Sequence, residues 1–154
     1  MDPLTITQAE PGDPAVRQVL EAHHALMRSQ SPAESCHVLD PEELTRAGAV
    51  LFAARDGETV LGVGAIAPLA ADQAELKSMH TTAAARGRGV GRAILERLTE
   101  EARAQGITSL WLETGSAPEF AAARGLYAAA GFTECPPFGD YSVDPLSLFM
   151  MRAL

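Results

Sequence analysis

A segment rich in glycine and arginine is the part of the sequence best suited to chemistry. It reads Arg86-Gly87-Arg88-Gly89-Val90-Gly91-Arg92 and lies between a predicted strand and a predicted helix. The first N–H groups of a helix have no partners within the helix, and the helix dipole places about half a positive charge at that end. Glycines let an anion approach the backbone, and arginines surround it with charge. The segment predicts a site for a pyrophosphate, and a solvated surface turn is the alternative.

The glycine spacing argues against two common phosphate-binding loops. The dinucleotide fingerprint asks for glycine or alanine where this chain has Arg92, and no Gly-Lys-Ser/Thr sequence occurs. A nucleotide-dependent oxidoreductase would also need Glu113 as its ribose-binding acid, about 20 residues after the glycines. The antiparallel hairpin predicted before the loop opposes that fold.

Three motifs, taken in order along the chain, resemble the GCN5-related N-acetyltransferase (GNAT) family. Arg86, Gly89 and Gly91 match the acetyl-CoA loop of that family, Gln/Arg-x-x-Gly-x-Gly/Ala. Residues 75–81 (ELKSMHT) resemble the strand before this loop, and residues 123–132 (ARGLYAAAGF) resemble the later helix with its Leu-Tyr…Gly-Phe signature. The resemblance covers residues 50–135 well and, through the order of elements, extends to the whole chain.

The sequence departs from the family at one point and resembles a subgroup at two others. Many relatives carry an Asn near the start of the later helix to touch the cofactor, where this chain has Ala117-Pro118-Glu119-Phe120. Residues 27–35 and 131–141 resemble small bacterial members whose acceptors are mostly unassigned. The family resemblance therefore does not identify the acceptor.

The resemblance implies an α+β fold, with a mixed central sheet of about seven strands and about four flanking helices. It implies acetyl-CoA as cosubstrate, with the pantetheine arm between two splayed strands that end near Thr81 and Glu113. A main-chain N–H there would polarise the thioester carbonyl. The residues expected to contact the cofactor are Met79, His80, Thr81, Arg86, Gly87, Arg88, Gly89, Val90, Gly91, Arg92 and Tyr127.

The chemistry implied is direct transfer of an acetyl group to a primary amine. Tyr127 takes the position of the family's general acid, which protonates the departing thiolate; alternatively, its ring only packs under the helix and binds the sulfur. Free α-amino groups titrate at about 7.7 to 8.0, so the acceptor must lose a proton to a base or a water chain. Glu113 and Glu75 are the acidic candidates, and position favours Glu113. Either could instead be a solvated carboxylate, and Glu75 could simply pair with Lys77.

The family resemblance implies that the segment between the first two predicted helices forms the acceptor wall, and here that segment carries polar side chains. Arg28 could hold a carboxylate bidentately while Glu34 meets an ammonium, which would suit an amino-acid-like molecule or a peptide terminus. A solvated connector is the alternative. Tyr141 either closes the cleft from the other side or packs as a loop aromatic. The acceptor-side candidates are Arg28, Ser31, Glu34, Ser35, His37 and Tyr141, whereas His23 is predicted to be a core histidine.

The elements that must position these residues follow from local patterns. Asp13-Pro14 predicts a helix start, and apolar residues at helical spacing continue to about residue 29. Asp56-Gly57 predicts a tight turn between two antiparallel strands. Residues 74–113 have the length of a strand, crossover helix and parallel strand. The predicted strands are 4–7, 49–55, 59–68, 74–81, 109–113, 132–135 and 148–153, and the predicted helices are 14–29, 41–47, 90–104 and 117–130.

Composition limits the remaining possibilities. The 154 residues suit a single acetyltransferase domain, 1–154, and a net charge of −8 disfavours nucleic-acid binding. No apolar run of about 18 residues and no leader pattern appears, so neither membrane insertion nor export is indicated. Two cysteines 99 positions apart favour a reducing cytoplasm, and the subgroup resemblance implies a bacterial protein. No metal-binding motif occurs. A non-catalytic acyl-CoA sensor is the alternative function, and a homodimer would be in keeping with the family.

Overall fold

The structure is a computed structural model that describes residues 4–154, in which seven strands form one mixed sheet. The strand order is β1-β2-β3-β4-β5-β7-β6, and every neighbouring pair is antiparallel except β4 with β5. The predicted α+β architecture is confirmed. The strands are β1 (Thr5–Ala9), β2 (Val50–Asp56), β3 (Thr59–Ala70), β4 (Gln73–Thr81), β5 (Ser109–Gly115), β6 (Thr133–Cys135) and β7 (Ser147–Ala153), and the helices are α1 (Pro14–Gln30), α2 (Pro41–Arg46), α3 (Val90–Ala104) and α4 (Ala121–Ala129).

Capping residues determine where the first two helices begin. The Asp13 side chain accepts hydrogen bonds from the backbone N–H groups of Ala15 and Val16. Asp40 and Glu43 form a reciprocal capping box at the start of α2. The predicted helix at 117–130 is shorter than expected, because its first residues form a separate 3₁₀ turn, Pro118–Phe120, before α4.

Two apolar layers cover opposite faces of the sheet, because successive side chains of a strand point to opposite faces. On one face, Val63 and Ala65 of β3 belong to a cluster with Leu20 of α1 and Leu44 of α2. On the other face, Ile66 of β3 packs in the larger cluster that includes residues of α3 and α4. Helices therefore lie on both sides of the sheet, and β3 and β4 are buried between them.

Gly64 of β3 lets α3 approach the sheet closely, and its substitution should destabilise the fold. A Cβ at Gly64 would lie 2.5 Å from the sulfur of Met79 and 2.7 Å from Ile94. We expect Gly64→Ala to lower the free energy of unfolding by about 1–3 kcal/mol through overpacking. Gly12→Ala is the matched control, because a Cβ there meets nothing within 4 Å. Urea denaturation measures both, and equal stabilities would contradict the close packing.

The one parallel pair of strands within residues 4–154 separates after three residues. β4 and β5 pair from Gln73 with Ser109 to Glu75 with Trp111, and β4 then continues to Thr81 alongside β3 alone. Ser78 has a φ of 56°, and the β3–β4 register shifts at this point. The bulge bends β4 away from β5 and opens a gap between the ends of the two strands.

Candidate active site

A cleft of about 660 Å³ occupies the gap between β4 and β5. Its walls come from α1, the segment that follows α1, β4, the glycine-rich loop, β5 and α4. This volume is typical of sites for small molecules and cofactors. The elements predicted to carry the chemistry are therefore brought to one place.

The glycine-rich loop forms the anion-binding end of this cleft. Unlike α1 and α2, helix α3 begins without a side chain that caps its first N–H groups. Gly87 and Gly89 have φ values of 79° and 77°, a region that other residues rarely adopt. Arg86 and Arg92 line the cleft from exposed positions. Helix N–H groups and two arginines, of which Arg92 is paired with Glu96 at 3.2 Å, thus line the space where an anion would lie.

Arg88 is the member of this loop that does not line the cleft. Its backbone lies between the two glycines, and the residue is exposed to solvent. The remaining residues predicted to contact the cofactor all line the cleft; they are Met79, His80, Thr81, Arg86, Gly87, Gly89, Val90, Gly91, Arg92 and Tyr127.

The divergent end of β4 offers backbone groups to an extended ligand. His80 and Thr81 pair with Val63 and Gly62 of β3 on one edge. On the other edge, no strand among residues 4–154 pairs with β4 beyond Glu75. Buried backbone groups need hydrogen-bond partners. A ligand that carries amide groups can supply them along this edge.

Tyr127 and the partly buried Glu113 form the acid–base part of the cleft. The Tyr127 side chain is 7% exposed, and burial together with the nearby Glu113 carboxylate raises its pKa above the usual range. Burial also raises the pKa of Glu113 to about 7, although the positive charge of Lys77 opposes this rise. Tyr127 therefore keeps its proton for donation, and Glu113 can both accept and return a proton near neutral pH.

Glu75 is part of a buried network and not an isolated carboxylate. Lys77 Nζ lies 3.0 Å from Glu75 Oε2 and donates to the Tyr141 hydroxyl at 2.7 Å. The Tyr141 hydroxyl in turn donates to Glu75 Oε2. Glu75 and Lys77 line the cleft, while Tyr141 lies behind them and packs edge-on against His37. The network holds Glu75 as an ion-paired group, so Glu113 is the freer of the two acidic candidates.

Two histidines meet across the cleft wall. His23 Nδ1 of α1 lies 3.1 Å from His80 Nδ1 of β4, with the two rings edge to face. Burial and the neighbouring His80 lower the pKa of His23 to about 3, and burial followed by the charge of Arg86 lowers the pKa of His80. His23 is buried, as expected, but it is paired with a residue of the cofactor strand. Both histidines line the cleft.

The predicted acceptor residues other than Tyr141, which lies behind the cleft wall, divide into two groups. Ser31, Ser35 and His37 line the cleft. Arg28 and Glu34 are exposed and lie outside the cleft lining, because Arg28 projects from the solvent face of α1 and Glu34 from the short turn at 33–35. The structure does not bring these two charges to the acceptor side.

The sequence alone did not reveal three features of the site. His23 and His80 are 57 residues apart, and Tyr141 is 66 residues from Glu75. Asp144 accepts a hydrogen bond from Ser35, which joins two loops 109 residues apart. The alternation of Glu75 and Lys77 on one strand face was the one signal present, and it showed only that these two side chains are neighbours.

Comparison with known proteins identifies the class. The profile of the acetyltransferase (GNAT) family matches residues 16–132. The chain belongs to this family. It is an acyltransferase that uses acetyl-CoA, as GNAT acetyltransferases do.

Individual relatives match over nearly the full length. An IAA acetyltransferase of Azospirillum brasilense is 41% identical over 156 residues, covering 100% of both chains. The uncharacterized N-acetyltransferase YsnE of Bacillus subtilis (strain 168) is 39% identical over 139 residues, which are 90% of this chain and 92% of the relative. An acyl-CoA N-acyltransferase structure from Klebsiella pneumoniae is 28% identical with a TM-score of 0.80, covering 98% of this chain and 97% of that one.

The geometry fits acetyl-CoA on two independent observations. The uncapped start of α3, with its glycines and arginines, suits a diphosphate. The unpaired edge of β4 suits the amides of a pantetheine arm. Within residues 4–154, none of the helices has the length and apolar character needed to cross a bilayer.

Proposed function

We propose that this acyltransferase moves the acetyl group of acetyl-CoA directly to a primary amine of a small molecule or of a peptide terminus. One observation carries the proposal: the buried Tyr127 and the partly buried Glu113 line the same cleft as the unpaired edge of β4 and the uncapped start of α3. This arrangement supports a proton donor and a proton acceptor in the same cleft as a phosphorylated, amide-containing ligand.

Different groups of the protein would bind the diphosphate and the pantetheine arm of the cosubstrate. The N–H groups at the start of α3, with Arg86 and Arg92, would bind the diphosphate. The backbone of Met79 and Thr81 would pair with the amides of the arm. Acetyl-CoA supplies an acetyl group activated as a thioester. A backbone N–H of β4 would donate to the thioester carbonyl oxygen as negative charge grows there.

Tyr127 would donate a proton during the transfer, and Glu113 would accept one. Tyr127 would donate its phenolic proton to the leaving sulfur. Glu113, with a pKa of about 7, would take a proton from the attacking nitrogen as the amide forms. Glu113 would then return that proton to the phenol, whose pKa its charge raises.

The acceptor side is polar and carries few charges. His37, Ser35 and the Glu75–Lys77 pair line it, and Tyr141 supports the pair from behind. A polar amine can make hydrogen bonds to these groups, and an apolar acceptor would leave them unsatisfied. The relative from Azospirillum brasilense is named for transfer to IAA, so the acceptor panel should include that compound.

Arg28 should be dispensable for acceptor binding. The residue is exposed and outside the cleft, so Arg28→Ala should leave the acceptor KM within about twofold of the wild type. Steady-state kinetics with a carboxylate-bearing amine measures this value. A tenfold rise in KM would restore the carboxylate-binding role predicted from the sequence.

The proposed function is tested by thiol release coupled to mass spectrometry. Acetyl-CoA is incubated with amines, with the matched alcohols of the same carbon skeletons, with peptides and with IAA. We expect thiol release that depends on an amine and a product heavier by one acetyl group on nitrogen. Acetylation confined to compounds without an amine would contradict the proposal.

A further inference from the structure

The contact between His23 and His80 requires a shared proton. Their Nδ1 atoms are 3.1 Å apart, and the rings are inclined at 65°. Two lone pairs at this distance would repel each other, whereas an N–H facing a lone pair makes a hydrogen bond. One histidine therefore donates through Nδ1, and the other accepts through Nδ1. Each ring keeps its Nε2 atom for another partner.

Burial decides which ring of the pair accepts an additional proton. His23 is 8% exposed on the apolar face of α1, where Val19 and Leu20 are also buried. His80 is only partly buried at the cleft wall. A charge is less costly on the more solvated ring. The cationic form of the pair is therefore a charged His80 whose Nδ1–H donates to a neutral His23.

The surroundings keep the pair neutral until a proton arrives. From α1, His24 acts on His23, and from the segment after β4, Arg86 acts on His80. The β3 residue beside His80 is the uncharged Val63. His24 and Arg86 both oppose a positive charge on the pair. His80 is therefore a neutral imidazole near pH 7 and is able to accept a proton.

We propose that His80 is the base that removes the first proton from the acceptor ammonium, and that His23 is the residue that positions it. The inference rests on the proposed amine acceptor. His80 directly follows Met79 on the unpaired stretch of β4 and lines the cleft with Tyr127 and Glu113. His23 acts on His80 as the orienting partner acts on a catalytic imidazole, by fixing the ring through its second nitrogen.

The proton balance of the reaction requires two acceptors and one donor. His80 Nε2 takes one proton from the ammonium, and the neutral amine then forms the C–N bond as the C–S bond breaks. Glu113 takes the second proton from nitrogen, while Tyr127 gives its proton to sulfur. Glu113 returns a proton to Tyr127, and His80 releases its proton to solvent. The sum is one amide, one thiol and one proton released.

The kinetic test compares variants of the pair over a range of pH. We expect His80→Gln to lower kcat by about 10²-fold, and His23→Leu to lower it by about tenfold. His23→Asn keeps an acceptor near the position of Nδ1 and should recover most of the loss. Glu21→Gln is the control on the same helix, because this α1 residue is exposed and does not line the cleft.

The pH profile separates a base from a structural residue. Below the pKa of His80, wild-type log kcat should fall with a slope of about 2, because both Glu113 and His80 become protonated. In His80→Gln the slope should remain at about 1. A His80→Gln variant with wild-type kcat, or with a slope that still reaches 2, would overturn the proposal.

A second readout does not depend on turnover. Nitrogen-15 NMR of the histidine rings in the protein without ligands should show that His80 is the Nδ1-protonated neutral ring of the pair, which leaves its Nε2 free to accept a proton, and this signal should be absent in His23→Leu. On acidification, His80 should become protonated before His23. Two Nε2-protonated rings, an Nδ1-protonated neutral His23, or protonation of His23 before His80 would overturn the proposal. An amine panel without turnover would defeat the proposed function, while the NMR result would still decide the pairing.

Discussion

Replacing Tyr127 by phenylalanine should lower kcat by about 10²-fold or more at saturating acetyl-CoA and amine. The variant removes only the hydroxyl. The thiolate would then leave without a proton from the enzyme. Because burial and Glu113 keep the phenol protonated, the wild-type acid is present in its donor form across the neutral range. Thiol release under steady-state conditions measures the loss.

Two controls separate this acid role from packing. The ring of Tyr127 lies edge to face with Phe132, and phenylalanine can keep that contact, so the Tm of Tyr127→Phe should stay within a few degrees of the wild type. Tyr141→Phe is the matched tyrosine variant, and it should alter the acceptor KM more than kcat. A kcat of Tyr127→Phe near that of the wild type would contradict the acid role.

Replacing Glu113 by glutamine should lower kcat by a similar factor and change the pH profile. The pKa of Glu113 is about 7, so below this pH the carboxyl group already holds a proton and cannot accept one. Wild-type kcat should therefore fall as the pH drops through 7. The Glu113→Gln variant should lose this limb and keep only the fall at lower pH that we assign to His80. Retention of the limb near pH 7 would contradict the role of Glu113.

The same variant has a consequence for stability that does not depend on catalysis. The folded-state pKa of Glu113 lies above its usual value of 4.5, so the folded protein binds more protons than the unfolded chain between these two values. The free energy of unfolding therefore decreases as the pH rises from 4.5 to about 7, and this destabilisation is fully present above pH 7. Glu113→Gln should raise the free energy of unfolding at pH 8 by roughly 1–3 kcal/mol and leave it nearly unchanged at pH 4.

The order of elements could be predicted from the sequence because its signals are local. Asp13 before Pro14 encodes a cap, and the cap is present. Asp56-Gly57 encodes a tight turn, and Gly57 has the positive φ that such a turn needs. The helical spacing of Val16 and Leu20 identified the buried face of α1. Each of these signals lies within a few residues of the structure that it specifies.

The acceptor side was less predictable because it depends on contacts between distant segments. The polar residues Arg28 and Glu34 were expected there, yet the rotation of α1 and the turn after it direct them to solvent. His23 was correctly placed on the apolar face, but its partner is determined by how α1 crosses β4. Ser78 gives no local sign of its positive φ, which follows from the bulge that separates β4 from β5.

The central claim is that coenzyme A lies along the free edge of β4 with its diphosphate on the start of α3. Hydrogen–deuterium exchange with mass spectrometry, with and without coenzyme A, tests this most directly. We expect slower exchange in peptides that cover residues 76–92, and little change in the hairpin at 50–59. Protection confined to other parts of the chain, with unchanged exchange at 86–92, would contradict the account.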